Sequence, residues 1–348
     1  MASESPAQSI KCVVWDLDNT LWDGILLEDD TVRLRKATRD AITTLDERGV
    51  LHSIASRNDP QKALMKLEEF GLREYFIYPQ INWNSKSSSI EAIARKINFS
   101  LDAIAFIDDD AFERDEVRFS HPQVLCLDAR DVTTLPELPQ MIPEFLTEDS
   151  RLRRQMYLSD IARSEAEEEF TGPQEEFLAT LDMTLTISPA QADDLKRVQE
   201  LTIRTHQLNT TGYTYSYEEL DYFRTSDGYK LLIAGLTDKY GTYGKIGLAL
   251  MECTEQVWTI KLFLMSCRVI SRGVGAVLLN YLMRLARDRR VMLRAEFVTT
   301  DVNRMMYVAY KFAGFREIDR KSSSVILECD LTRIQPLPNY VQIENQWV

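Results

Sequence analysis

The sequence predicts an α/β fold made of two successive domains. Its 348 residues exceed the roughly 150 of an average single domain. Short apolar runs alternate with segments of helical periodicity in both halves of the chain, a pattern that favours sheets covered by helices. Polar motifs also follow directly on several apolar runs. We predict domains at residues 10–147 and 176–332, joined by a charged helical linker at 148–175.

Composition narrows the possible partners and compartments. The chain carries 41 basic and 54 acidic residues, a net charge of -13, so nucleic acid is not an expected partner. No apolar segment reaches the ~18 residues of a membrane span, and no membrane partner is expected. The five cysteines form no CxxC pair, and no secretory signal precedes the first strand. These features favour a soluble protein of the reducing cytoplasm.

The first domain is predicted to alternate strands with helices. The polar MASESPAQ segment is expected to fray, and a helix over 34–48 follows the first strand. Asp59 and Pro60 are typical of an N-cap and a first helical position, and this helix ends near Gly71. A capping-box pattern over residues 88–91 predicts the start of the next helix. The predicted strands are 11–15, 50–55, 75–78 and 103–107.

The second domain begins with a strand and contains three predicted helices. These helices span 191–204, 274–287 and 303–313, and an irregular polar stretch follows the first of them. The predicted strands are 184–188, 230–237, 244–252, 257–265, 292–299 and 324–330.

Two aspartates directly follow the first strand, in the run Asp16-Leu17-Asp18-Asn19-Thr20. Parallel sheets bind ligands at the carboxyl ends of their strands, and carboxylates at positions i and i+2 leave a strand end on the same side. Such a pair can hold Mg²⁺. One carboxylate can then attack phosphorus while the other protonates the leaving group.

Further polar residues end the following strands. Ser56 can bind a phosphate oxygen, Lys86 supplies a positive charge, and Asp108 and Asp109 can complete a metal site. Each residue alone is weak evidence, since an isolated DxD is more often a turn or a cap. Polar signals at four successive strand ends are much harder to explain by structure alone.

The runs WDLDNTLWDG, IASRND, NWNSK and FIDDD resemble the four signatures of the haloacid dehalogenase superfamily. This resemblance covers residues 10–125 and implies a Rossmannoid parallel-sheet domain. Because little sequence separates the motifs, the domain is expected to be capless. The implied roles are nucleophile for Asp16, general acid/base for Asp18, substrate binding for Thr20, Ser56, Arg57, Asn58 and Lys86, and Mg²⁺ binding for Asp16, Asp18, Asp109 and Asp108.

The second domain resembles the acyl-CoA N-acyltransferase (GNAT) fold in its strand and helix order. A glycine-rich turn opens its central helix, and Arg272, Gly273 and Gly275 are candidate substrate-binding residues there. Ile270 stands where acetyltransferases usually carry Gln or Arg, which argues against ordinary acetyl-CoA chemistry.

Cys267 precedes this turn, next to Arg268. A cation and a helix start favour the thiolate, so Cys267 is a candidate nucleophile, although free cysteines are more often small buried hydrophobes. His206 is a candidate base for the thiol, and its alternative role is a surface residue or helix cap. Cys12, Cys126 and Cys329 are predicted to lie in the core.

The whole chain resembles the FkbH-like proteins of polyketide biosynthesis. The motifs that carry this resemblance are VVWDLDNTLWDG, SRNDP, FIDDDAFERDEV, RTHQLNTTG, YGTYG and SCRVISRGVG. It implies a bifunctional glyceryl transferase/phosphatase that uses 1,3-bisphosphoglycerate. The glyceryl group would form a thioester with Cys267 and pass to the phosphopantetheine arm of an acyl carrier protein.

Three other functions remain open at this point. The chain could be a simple phosphatase whose GNAT-like domain is a non-catalytic docking module. It could be an N-acyltransferase fused to a phosphatase-derived binding domain. It could also be a non-enzymatic partner of a carrier protein, although the complete set of phosphate-site residues argues against this.

Overall fold

The computed structural model describes residues 9–29 and 31–345, so the MASESPAQ segment lies outside the described residues. The chain divides into two compact units, Met1–Leu158 and Ser159–Val348. The predicted linker, 148–175, spans this division. Among the described residues, no helix is both long enough and apolar enough to cross a membrane.

The first unit contains a five-stranded parallel sheet. Its strand order is β5-β4-β1-β6-β7, and all four pairings are parallel. The central strand β1 is buried along its whole length, which matches its unbroken apolar sequence. The strands are β1 (Cys12–Trp15), β4 (Leu51–Ser56), β5 (Gln80–Ile81), β6 (Ile104–Asp108) and β7 (Leu125–Asp128). A short antiparallel ribbon, β2 (Trp22–Asp23) and β3 (Arg33–Leu34), follows β1.

Four helices accompany this sheet: α1 (Lys36–Glu47), α2 (Pro60–Glu69), α3 (Lys86–Ile97) and α4 (Ala111–Ser120). The Asp59 side chain caps α2 as predicted, accepting a hydrogen bond from the Lys62 amide. The core of the unit includes Trp15, Ile42 and Leu45.

Two local predictions in this unit are wrong. Residues 75–78 are not a strand, because a 3-10 turn ends at Tyr75 and Tyr78 has a left-handed φ of 48°. The strand forms later, at β5. Helix α3 begins before the predicted capping box, because Ser85 rather than Ser88 serves as the N-cap.

Helices connect the sheet of the first unit to that of the second: α5 (Glu148–Arg151), α6 (Arg153–Glu169) and α7 (Gln174–Ala179). Within the second unit, the Arg163 side chain of α6 is buried and forms an ion pair of 2.7 Å with Asp238. It also stacks over the ring of Tyr243, with 3.8 Å between the guanidinium carbon and the ring centre. The charged helix is therefore anchored by specific buried contacts.

The second unit is built on an eight-stranded mixed sheet. Its order is β13-β14-β12-β11-β10-β9-β8-β15, with parallel pairing for β11–β12 and β8–β15. The strands are β8 (Met183–Pro189), β9 (Tyr229–Asp238), β10 (Gly241–Cys253), β11 (Val257–Met265), β12 (Met292–Val298), β13 (Phe315–Lys321), β14 (Ser324–Cys329) and β15 (Val341–Asn345). The sheet thus extends past the predicted domain end at residue 332.

Helices cover both faces of this sheet: α8 (Leu195–Arg204) and α9 (Tyr217–Thr225) pack on one, and α10 (Val274–Asp288) and α11 (Arg304–Phe312) on the other. The stretch predicted to be irregular therefore contains a helix, α9. The predicted fold class, a parallel-sheet α/β domain followed by a second α/β domain, is confirmed by the two sheets and their helices.

Strands β11 and β12 pair only over Val257–Ile260 and Met292–Ala295, and then separate. The segment 208–210 fills the gap that opens between them. The Thr210 amide donates to the Phe263 carbonyl, and the Val298 amide donates to the Thr210 carbonyl, both at 3.0 Å. The RTHQLNTTG motif is therefore built into the middle of the sheet.

Candidate functional site

Predicted site residues meet at the carboxyl edge of the first sheet. Asp16 directly follows β1, Ser56 ends β4 and Asp108 ends β6, and these three strands are neighbours. Lys86 is the first residue of α3. All four residues are buried. Burial of the charged Asp16, Lys86 and Asp108 would be unusual for side chains without partners or a function. The strand order thus brings together residues that lie far apart in sequence.

Lys86 is the positive centre of this cluster. Its ammonium donates hydrogen bonds to the Asp16 carboxylate and, at 2.9 Å, to the Ala55 carbonyl. A second carboxylate oxygen, Oδ2 of Asp108, lies 3.2 Å away. Burial disfavours the charged amine, but Asp16 and Asp108 outweigh it and raise the pKa of Lys86. The lysine is therefore held in its charged form.

Three carboxylates form a potential cation site. Asp16, Asp108 and Asp109 each offer one oxygen, and these oxygens lie within 4.8 Å of one another. Oδ2 of Asp108 is buried and accepts no well-directed hydrogen bond from the described residues. Burial, followed by the charge of Asp16, raises the pKa of both Asp108 and Asp109. An acidic set with an unsatisfied oxygen suits a hard divalent cation.

Asp18 lies outside this three-carboxylate cluster. Its Oδ1 accepts from the Trp22 indole at 2.7 Å and from the Leu26 amide at 3.0 Å, and its Oδ2 accepts from Asn58 at 2.9 Å. Burial raises the pKa of Asp18 in spite of these hydrogen bonds. Its carboxyl group is thus fixed in position and biased towards the protonated form. Its predicted part in metal binding stays a prediction.

Two other predicted substrate-binding residues support the cluster rather than stand open to a ligand. Thr20 is buried and donates from its hydroxyl to Asp109 at 3.2 Å. Asn58 is held by its contact with Asp18. Arg57 lies at the surface, where it donates to Glu113 at 2.7 Å and to the Asn84 carbonyl at 3.2 Å.

Sequence reasoning missed two contributors to the site. Trp22 orients Asp18, and its position four residues after that aspartate in WDLDNTLWDG was the available signal. Glu116 of α4 accepts hydrogen bonds from the amide and hydroxyl of Ser87 and so fixes the start of α3 next to Lys86. Nothing local in the sequence marks this second contact.

The second unit presents one exposed thiol on its glycine-rich turn. Cys267 is the first residue of a 3-10 turn, Cys267–Arg272, that follows β11 and leads into α10. Cys12, Cys126 and Cys329 are buried, as predicted. Burial raises the pKa of each of these three thiols. Cys253 is half-buried, so Cys267 is the exposed thiol of the five.

The segment that follows His206 pairs with the end of β11, the strand that leads to Cys267. Asn209 pairs with Leu264 in antiparallel fashion, and the Met265 amide donates to the Leu208 carbonyl at 3.0 Å. This pairing does not extend to His206, which lies in a bend, or to Cys267, which lies in a 3-10 turn, and both residues are exposed. The structure therefore brings these two segments together, while the role of His206 as a base stays a prediction.

The predicted substrate-binding residues of the turn are only partly open to a ligand. Gly273 begins α10 with a left-handed φ of 69°, and a Cβ there would lie 2.7 Å from the Tyr340 hydroxyl. A Cβ on Gly275 would lie 3.3 Å from Met265. Arg272 is buried and forms an ion pair of 3.0 Å with Glu167. Arg272 thus has a structural partner.

No family model matches the chain. Over 154 residues it is 28% identical to magnesium-dependent phosphatase 1 from Homo sapiens, a match that covers 39% of this chain and 86% of that protein. Among solved structures, it is similar to the N-terminal part of the protein BF1531 from Bacteroides fragilis, which contains a phosphatase domain complexed with Mg. That match has 28% identity and a TM-score of 0.34 and covers 36% of this chain and 38% of that one, well under two thirds of its length.

Two acetyltransferase structures are also similar to part of this chain. The ribosomal-protein-S18-alanine N-acetyltransferase from Escherichia coli shares 17% identity with a TM-score of 0.34, and covers 42% of this chain and 92% of that one. A GNAT family acetyltransferase from Elizabethkingia anophelis with acetyl-CoA bound shares 18% identity with a TM-score of 0.31, and covers 42% and 97%. Each likeness concerns one part of the chain.

Proposed function

We propose that this chain is a bifunctional enzyme: a magnesium-dependent phosphatase in its first unit and an acyltransferase that uses Cys267 in its second. One observation supports the phosphatase activity most directly: four charged side chains lie together at the carboxyl ends of adjacent parallel strands, namely Asp16, Lys86, Asp108 and Asp109. Similarity to magnesium-dependent phosphatase 1 agrees with Mg²⁺, the cofactor predicted from sequence.

The phosphatase reaction follows from the positions of the two leading aspartates. A carboxylate oxygen of Asp16 attacks phosphorus, the bond from phosphorus to the substrate oxygen breaks, and Asp18 protonates that oxygen. Asp18 then accepts a proton from the water that attacks the aspartyl phosphate, and inorganic phosphate leaves. Trp22 and Asn58 hold the Asp18 carboxyl group for both proton transfers.

Charge at this site is balanced by Lys86 and by a cation. Lys86 stabilises the negative phosphoryl oxygens, and Asp16, Asp108 and Asp109 would hold Mg²⁺. When bound, the ion neutralises charge on phosphate and carboxylate, so that two anions can approach each other. Thr20 keeps Asp109 in place through its hydroxyl.

For the second unit, we propose that Cys267 receives the acyl group of an acyl phosphate. In 1,3-bisphosphoglycerate, the substrate implied by the FkbH-like resemblance, the thiolate attacks the acyl carbon. The bond from that carbon to the phosphate oxygen breaks and inorganic phosphate leaves. His206 takes the proton of the thiol. The remaining phosphate is removed through Asp16, before or after this step.

The acyl group then moves to a second thiol. The phosphopantetheine thiolate of an acyl carrier protein attacks the thioester carbon, and the Cys267 thiolate is released. One thioester replaces another, so the exchange needs little driving force. The product is a glyceryl carrier protein, the building block that the resemblance connects to polyketide biosynthesis.

Intact-mass spectrometry tests the proposal. The protein is incubated with 1,3-bisphosphoglycerate, Mg²⁺ and a pantetheinylated carrier protein, and both proteins are weighed. We expect a glyceryl adduct on the carrier, none with Cys267→Ala, and normal loading with the control Cys253→Ala. His206→Ala should slow the formation of the thioester on Cys267. An unchanged rate in this variant would show that His206 is not the base that takes the thiol proton.

Asp16→Asn isolates the phosphatase. We expect at least about 1000-fold slower release of inorganic phosphate from p-nitrophenyl phosphate, because the nucleophile is gone. The exposed Asp23→Asn is the matched control. Unchanged glyceryl transfer by Cys267→Ala would remove the thioester role of this cysteine, and phosphate release without any glyceryl transfer by the wild type would support a simple phosphatase with a non-catalytic docking domain.

A further inference from the structure

The second unit contains an apolar cavity of about 470 Å³ between β11, α10 and α11. Met265, Met283 and Ala309 contribute to its walls, and Asn280 and Gln335 are polar residues of its lining. None of its described lining residues carries a charge. The cavity therefore suits a narrow, uncharged chain with amide groups better than a nucleotide, whose phosphates would need cations.

This cavity lies next to the segment that carries the exposed thiol. Met265 and Val269 both line it, and Cys267 stands between them in the chain. A chain bound in the cavity would thus have its end close to the turn on which Cys267 lies.

The outer face of α11 carries an apolar stripe at the cavity rim. Met305, Val308 and Phe312 recur at helical spacing and are 55%, 40% and 82% exposed. Met305 and Phe312 also line the cavity, so stripe and cavity are continuous. Exposed apolar groups gathered at a cavity mouth are typical of a surface that binds another protein.

The segments that contain α10 and α11 are basic, although the chain as a whole is acidic. Residues 274–290, which contain α10, and residues 304–312 of α11 hold six basic residues and one acidic residue, in a chain of net charge -13. The basic residues are Arg284, Arg287, Arg289, Arg290, Arg304 and Lys311, and the acidic one is Asp288. A local excess of positive charge on an acidic protein attracts an acidic partner and repels a basic one.

We propose that α10 and α11 form the docking surface for an acidic carrier protein, whose pantetheine arm enters the apolar cavity. This inference rests on the proposed acyl transfer and deepens it by naming the surface that presents the acceptor thiol. The basic residues complement the charge of the partner, the Met305–Phe312 stripe supplies apolar contact, and the cavity accepts the amide-bearing arm.

Charge reversal tests the surface directly. Binding of a pantetheinylated acidic carrier protein is measured by calorimetry for the wild type, for Arg304→Glu/Lys311→Glu and for Lys62→Glu/Lys196→Glu. All four side chains are exposed and both double variants change the net charge equally. We expect at least about tenfold weaker binding for the first pair and unchanged binding for the control. Equal affinities for all three proteins would overturn the proposal.

Two further variants separate the surface from the cavity. Val308→Ser, which changes the stripe but not the cavity lining, should raise KM for the carrier at least about fivefold and leave transfer to free pantetheine unchanged. Ala309→Trp, which fills the cavity, should impair transfer to both acceptors. If Ala309→Trp leaves transfer to free pantetheine intact, the arm does not use this cavity. Carrier binding by α11 without any glyceryl transfer would sink the proposed function and leave the docking surface standing.

Discussion

At the scale of single residues, the first unit accommodates a buried lysine, Lys86, and a buried histidine, His52, in different ways. Lys86 lies between two carboxylates, so its positive charge is retained. Among the described residues, His52 has no acidic partner of this kind: its Nδ1 accepts from the Trp15 indole at 3.0 Å, and its Nε2 lies 3.1 Å from the Ile42 carbonyl. These contacts fix one neutral tautomer, with the proton on Nε2.

His52 predicts a loss of stability in acid. Its complete burial lowers its pKa to about 3. Its unfolded-state pKa is about 6.5, so below that pH the unfolded chain takes up a proton that the folded chain does not. The free energy of unfolding should fall by about 1.4 kcal/mol per pH unit from pH ~6.5 towards the folded-state pKa.

This prediction is checked with His52→Asn, which lacks the titrating ring. Unfolding in urea is monitored through the hydrogen exchange of the backbone amides of β1 and β4. The measurement therefore reports on the first unit alone. Between pH 7 and 5 the wild type should lose about 2 kcal/mol more than the variant. The exposed His206→Asn should behave like the wild type, and identical pH profiles for His52→Asn and wild type would refute the assignment.

At the scale of elements, the buried pair of Arg163 and Asp238 anchors α6 to the β9–β10 turn. Their side chains are 1% and 0% exposed, and Asp238 also accepts from the Tyr243 hydroxyl at 2.9 Å. A Cβ on Gly241 would lie 2.8 Å from the Ser159 hydroxyl oxygen, so helix and turn are in close contact. The YGTYG motif, which belongs to the FkbH-like resemblance, thus has a structural role.

Arg163→Leu should destabilise the second unit by about 3–5 kcal/mol, because it leaves the Asp238 carboxylate buried and without its cation. The double variant Arg163→Leu/Asp238→Asn should recover part of this loss. Chemical denaturation of both proteins measures the effect. As a control, Arg320→Leu removes a solvent-exposed pair with Glu317 and should leave the free energy of unfolding nearly unchanged. Equal losses for Arg163→Leu and Arg320→Leu would contradict the anchoring role.

Elements of this fold could be predicted where the signal is local. Strand β1 is a continuous apolar run, and Asp16 follows it directly, so both the strand and the site residue could be predicted from the sequence. Helix α9 was missed although Ser216 and Glu219 form a capping box at its start. The tyrosines and phenylalanine of this helix favour strands as much as helices, and this masked the signal.

Long-range pairing explains what remained hidden. The insertion of residues 208–210 between β11 and β12 depends on strands that separate after Ile260, which no sequence pattern marks. His206 was named as a candidate base for the Cys267 thiol on chemical grounds alone, and the pairing of residues 208–209 with 264–265 emerged only from the structure. The burial of Arg272 against Glu167 is likewise a contact across 105 positions.

At the scale of the whole molecule, the two units contain different chemistry. Carboxylates and a lysine form the site of the first unit, and the exposed thiol lies in the second. In the proposed reactions, phosphoryl transfer at the carboxylate cluster would use a bound metal, whereas attack of a thiolate on an acyl phosphate would need none. The two half-reactions should therefore respond differently to chelation.

Incubation with 1,3-bisphosphoglycerate in excess EDTA should abolish release of the second phosphate but still modify Cys267. We expect an enzyme adduct that is heavier by one phosphoryl group than the adduct formed with Mg²⁺, because the thioester forms while the remaining phosphate stays in place. Intact-mass spectrometry distinguishes the two adducts, and Cys267→Ala should form neither. Re-addition of Mg²⁺ should convert the heavier adduct to the lighter one in the wild type but not in Asp16→Asn. Absence of any adduct in EDTA would show that thioester formation depends on the metal site and that the two activities cannot be separated.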